Sequence, residues 1–154
     1  MTFEFELTVI LKLLAAFLLA LPVAINREKH SRVMGLRTYP LMSMGACAYM
    51  LIGMGFIGDL SVDAQARIIQ GLLGGLGFLG AGAIIQNNDR VEGTASAVCI
   101  WIFGAVGLAC AHGQWLIAVV LSLTAWLVLN LFFVWKKELK GKNLKSLPEE
   151  DNDD

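Results

Sequence analysis

Five long apolar runs, separated by short polar stretches, set the pattern of this chain. They extend from Leu7 to Ile25, Leu41 to Ile57, Ile68 to Gln86, Ala95 to Ala111 and Trp115 to Trp135. Their lengths are 19, 17, 19, 17 and 21 residues. A helix needs roughly 20 largely apolar residues to cross a hydrocarbon core. The pattern therefore predicts an all-α, polytopic membrane bundle of about five transmembrane helices. The link between the last two runs is so short that they must form an antiparallel hairpin. Residues 1–135 form the membrane domain in this reading. Residues 136–154 are a basic, then acidic cytoplasmic tail, expected to be disordered.

The third run stands apart by its glycines. Six of the 16 lie between Gly71 and Gly82. In water each would cost a helix about 1 kcal/mol against Ala. In lipid an unsatisfied backbone costs more, so the segment stays helical. At a helical repeat, Gly71, Gly74, Gly75 and Gly82 share one side, and Gly77 and Gly80 lie nearly opposite. Small residues let backbones approach, so this helix is expected to be the central packing element. Gly75-Leu76-Gly77-Phe78-Leu79-Gly80 also fits the dinucleotide fingerprint, which needs a preceding strand and a βαβ unit. Its apolar flanks supply neither, and no cofactor is expected.

Composition agrees: 56% of residues are hydrophobic and 16% charged, where a soluble domain carries about 25% charged. The net charge of −1 conceals segregation. Arg27, Lys29, Arg32, Arg37, Arg90, Lys136, Lys137, Lys140, Lys142 and Lys145 fall on one side of a five-span bundle, while Glu4, Glu6, Asp59 and Asp63 fall on the other. Lys and Arg stay cytoplasmic, so the orientation is N-out/C-in. Cys47, Cys99 and Cys110 lie in apolar runs without C-x-x-C spacing. They read as packing residues rather than a zinc or disulfide framework.

Chemistry-bearing residues are few. The stretch from Asn26 to Pro40 is the most polar in the chain interior and reads as a loop. Within it Arg27 and Glu28 could pair with Arg37, and Gly35 permits a positive-φ turn. Arg67 opens the glycine helix with Asp63 four residues earlier, positioned for an ion pair. Lys12 is expected to snorkel outward. No catalytic set, H-E-x-x-H or Walker motif is present, so no enzyme is expected. Mg²⁺ prefers oxygen ligands including carboxylates. No Asp, Glu or His lies inside any of the five runs.

A family resemblance rests on motifs in order. They are Asn26-Arg27-Glu28, Gly35-Leu36-Arg37-Thr38, Arg67, Gly75-Leu76-Gly77-Phe78-Leu79-Gly80-Ala81-Gly82, and Val91-Glu92-Gly93-Thr94-Ala95-Ser96-Ala97 with Trp101. Together they resemble the amino-terminal membrane domain of the MgtC/SapB/YhiD family. That resemblance marks Arg27, Glu28, Gly35, Arg37, Thr38, Arg67, Gly75, Gly77, Gly80, Gly82, Gly93 and Trp101 as functional candidates, and Asp63 joins them as the i,i+4 partner of Arg67. The family pattern usually has Glu at Asn26, His at Tyr39 and Thr-Thr at Ala95-Ser96. The resemblance implies a bacterial membrane protein linked to magnesium limitation, stress and, in pathogens, survival in macrophages. It implies a regulator of other membrane proteins, with a small cation transporter or channel along the glycine helix as the alternative. The expected partners are the bilayer, another membrane protein and a second copy, through Gly71-x-x-x-Gly75. No nucleic acid is expected.

Overall fold

The computed structural model describes residues 3–30, 34–56, 62–87 and 90–144. Five helices form: α1 Phe3–His30, α2 Tyr39–Phe56, α3 Val62–Gly82, α4 Thr94–Ala111 and α5 Trp115–Leu144. Most of each apolar run falls in one of them. Glu4–Lys29 and Thr94–Ala111 are long and apolar enough to cross a membrane, and Trp115–Leu131 is a shorter apolar stretch.

Several boundaries differ from the sequence reading. α1 continues to His30, so Asn26, Arg27 and Glu28 are helical rather than in a loop. α3 stops at Gly82, four residues before Gln86. Beyond it, β1 Ile85–Asn87 and β2 Arg90–Glu92 pair antiparallel, with Ile85 opposite Glu92. This small ribbon is the exception to an all-helical fold. α5 runs on past Trp135, because no residue from 136 to 144 is a strong helix breaker apart from Gly141.

The hub is α4, not the glycine helix. α4 touches each of the other four helices. Ser96, Cys99, Ile100, Phe103, Gly104, Val106, Gly107, Ala109, Cys110 and Ala111 are all buried. Its apolar surface goes all round rather than down one stripe, as a helix enclosed on every side requires. Its small residues also allow close approach. A Cβ at Gly107 would collide with the Ser43 carbonyl oxygen and lie 2.9 Å from Ala46 Cβ and 3.0 Å from Cys47 N. One at Gly104 would collide with Leu76 of α3. Tyr39 of α2 packs its ring 5.8 Å from that of Phe103.

In α3, by contrast, Gly71, Gly74, Gly75, Gly77 and Gly82 have nothing within 4 Å of an added Cβ. Only Gly80 of its glycines meets a neighbour, at 3.8–3.9 Å from Ala97 and Trp101 of α4. Phe78 is 81% exposed. A helix with backbone-thin faces can accept a close partner, and here α4 takes that place only beside Gly80, while Gly71, Gly74, Gly75, Gly77 and Gly82 face open space.

Two registers fix the geometry. Lys12 donates to the Ala111 carbonyl at 2.7 Å and Arg27 Nη2 donates to Ser96 Oγ at 2.9 Å. Fifteen residues separate the two members on each helix, so α1 and α4 run antiparallel in step. Ser122 Oγ donates to the Leu19 carbonyl at 2.6 Å, and Asn26 Nδ2 to Asn130 Oδ1 at 2.9 Å, so α1 and α5 run parallel.

Candidate functional site

The polar residues gather where α1 ends and α4 begins. α1's last turns carry Asn26, Arg27 and Glu28 to three different partners. Asn26 reaches α5 through Asn130, whose own Nδ2 donates to the Trp126 carbonyl at 2.8 Å. Arg27 reaches into α4 through Ser96. Glu28 turns back to the following segment, where its Oε2 accepts the Leu36 N–H at 3.0 Å.

The Arg27–Ser96 contact is the centre of this cluster. Ser96 and Tyr39 are fully buried. Tyr39 donates its hydroxyl to the Ser96 carbonyl at 3.4 Å. Arg27 Nε is buried without a partner among the described residues. The cation lies beside the first turn of α4, the positive end of that helix. That turn has no acidic residue and no side-chain cap. Ser96→Ala should therefore cost about 1.5–3 kcal/mol, as loss of a hydrogen bond to a charged group does. Thermal unfolding in detergent checks this, with Ser96→Thr retaining most of the stability.

Two glycines shape the cluster for different reasons. Gly93 precedes α4 with φ of 88°, a left-handed conformation that disfavours side chains. A Cβ there would also collide with the Ala83 carbonyl. Gly35 is not among the positive-φ glycines, contrary to the turn expected there. It is needed because a side chain would strike the Glu28 carboxylate. Thr38 closes the segment: its carbonyl accepts the Met42 N–H at 2.9 Å, and its own N–H donates to the Gly35 carbonyl at 3.1 Å.

The other sequence candidates lie elsewhere. Arg37 is exposed and forms no pair with Glu28 among the described residues; the Leu36 N–H takes that carboxylate instead. Asp63 and Arg67 are both exposed, and no ion pair joins them among the described residues. Gly75, Gly77 and Gly82 line open sides of α3, while Gly80 and Trp101 meet at the α3–α4 contact. Sequence reasoning missed Ser96 and Tyr39 as members of the cluster. Both are departures from the family pattern, as is Asn26, whose amide bonds Asn130 of α5. It also missed Lys12, whose ammonium turns inward to the α4 terminus rather than outward.

Comparison with known proteins settles kinship. The sequence profile of the MgtC family matches residues 13–137. The chain belongs to the MgtC family. Protein SrpB of Synechococcus elongatus is 31% identical, covering 93% of this chain and 91% of SrpB. The "Putative magnesium transporter YhiD" of Escherichia coli is 31% identical, covering 93% of this chain and 67% of YhiD. Protein MgtC of Salmonella typhimurium is 37% identical over 68% of this chain, and the match spans only 44% of that protein. No solved structure matches. Membership in the MgtC family makes this a membrane protein, in keeping with the length and apolarity of α1 and α4.

Proposed function

We propose that this chain is a multi-pass protein of the bacterial inner membrane, with five spans and N-out/C-in orientation. It acts without catalysis, as a regulator or partner of another membrane protein under magnesium limitation or stress. The registers support the topology: five alternating spans make α1 antiparallel to α4 and parallel to α5.

The observation that carries the functional reading is the sign of the charge among the helices. Lys12 bonds one end of α4 and Arg27 the other. Glu28, Asp63 and Glu92 are exposed, away from the bundle interior. A path through cations held against a helix repels Mg²⁺, which is bound by carboxylates and water. Purified protein in liposomes is expected to give no Mg²⁺ uptake above empty vesicles, while crosslinking in native membranes captures a membrane partner. Protein-dependent uptake would defeat the regulatory reading.

The open glycine faces of α3 favour a second copy as one partner. Gly71→Leu with Gly75→Leu should abolish the dimer in native mass spectrometry and leave the thermal stability of the protomer unchanged, because neither position touches a neighbour. The same open faces favour the alternative, a cation path along α3, to which the name of the Escherichia coli relative lends weight. Gly77→Leu separates the two: it removes flux under the alternative and has no flux to remove under the first reading.

A further inference from the structure

α4 ends inside the fold rather than at its edge. Its last three residues, Ala109, Cys110 and Ala111, are 7%, 0% and 0% exposed. The neighbouring helices continue past it. α1 reaches the level of Ala111 at Lys12, with nine further residues out to Phe3. α2 meets Gly107 at Ser43 to Cys47 and then runs nine residues to Phe56, where α4 has only four left. α3 meets Gly104 at Leu76 and has fourteen residues beyond that contact, against seven in α4. At a rise of about 1.5 Å per residue, these helices overhang the α4–α5 turn by about 8–13 Å. α5 starts at the turn itself, so the recess is open along the α5 side.

The chemistry of the surface follows the same step. On α1, Glu4 and Glu6 are exposed and mark water, while Leu7, Ile10, Leu11 and Leu14 are exposed and apolar. The hydrocarbon boundary on that side therefore stands near Leu7, about 8 Å outside Lys12. On α5, Trp115 is 47% exposed at the first position, and exposed aromatics of this kind settle at the interface. His112 and Gly113 are half-buried and Gln114 is exposed at this lower level. A groove of about 320 Å³ runs down from there, lined by Ala105, Leu108, Ala109, His112, Gln114 and Ile117.

We propose that the outer membrane surface is stepped around this protein, high against α1 and lowered by about 8 Å against the α4–α5 turn. Water and lipid headgroups then reach Lys12, His112 and Gln114 from the α5 side. The inference rests on the membrane-spanning reading above. It supplies what that reading lacks: a hydrated setting for an ammonium that would otherwise lie well inside hydrocarbon, where a charge is costly. The occupant is the bilayer itself, thinned as a short apolar surface thins it.

The test is thiol labelling of intact cells from outside with a membrane-impermeant maleimide. Wild-type protein is the blank, because Cys47, Cys99 and Cys110 are buried. Gln114→Cys is expected to label fully and Ile10→Cys not at all, although Ile10 lies farther out along the bundle. Labelling of Ile10→Cys, or protection of Gln114→Cys in both intact and permeabilised cells, overturns the step. If Gln114→Cys labels only after permeabilisation while Ile10→Cys stays protected, the orientation fails and the step stands. A second measurement uses nanodiscs of short-chain and long-chain phosphatidylcholine. The melting temperature of the wild type should fall in the thicker bilayer, and Lys12→Met should remove that dependence. Equal sensitivity in Lys12→Met and wild type counts against a hydrated Lys12.

Discussion

Gly107→Ala should lower thermal stability in detergent by about 1–3 kcal/mol, the usual cost of an extra methyl group in a filled interior. The obstacle is unusually rigid. The added Cβ collides with the Ser43 carbonyl and approaches Cys47 N and Ala46 Cβ to within 3.0 Å. Two of these three neighbours are main chain, so no rotamer change clears the space and α2 must move away from α4. That movement also loosens the packing of Tyr39 on Phe103. Gly107→Leu should prevent folding. Gly75→Ala is the control: it meets open space and should leave stability unchanged or raise it, by up to about 1 kcal/mol from helix propensity. Parallel melting curves decide. If Gly75→Ala proved more damaging than Gly107→Ala, α3 rather than α4 would be the element on which the bundle is built.

Gly93→Ala should be comparably severe. Two costs combine at one residue. Left-handed φ costs an L-residue about 1–2 kcal/mol, and the new methyl group is driven into the Ala83 carbonyl, where over-packing adds about 1–3 kcal/mol. The relief available is displacement of the β1–β2 ribbon or of the α4 N-terminus. Either moves Ser96 relative to Arg27, so the damage reaches the polar cluster. The thermal midpoint of Gly93→Ala combined with Ser96→Ala should lie close to that of Gly93→Ala alone. A full additional loss in the double variant would show that the two positions act independently.

The fold was legible in the sequence to the extent that it depends on counting apolar residues. Five runs gave five helices, because run length and composition act locally. The centre of the bundle was not legible, because glycine density marks where a helix could be approached, not whether anything approaches it. Gly104 and Gly107 are sparse in comparison, yet they carry the tight contacts. The cluster was legible in part. Arg27, Glu28, Gly35 and Gly93 were named from motifs and do meet at one end of the bundle. Ser96 and Tyr39 come from segments 69 and 57 residues away from their partners, and no local pattern announces such pairings. The strands at Ile85–Asn87 and Arg90–Glu92 were hidden because three-residue strands are too short for a period to show. The expected pairs of Arg37 and Asp63 failed because exposed charges gain little from each other in water.

The closing of α1 on α5 bears on how the protein is made. α1 leaves the ribosome first, but the groups that satisfy its Asn26, Arg27 and Lys12 lie 104, 69 and 99 residues later in the chain. Until the last hairpin is inserted, the first helix waits in the bilayer without the groups on α4 that its two cations bond. The nascent protein therefore needs either a holding partner in the insertion machinery or water at its ends, and truncation before α4 should leave it a ready substrate for membrane proteases.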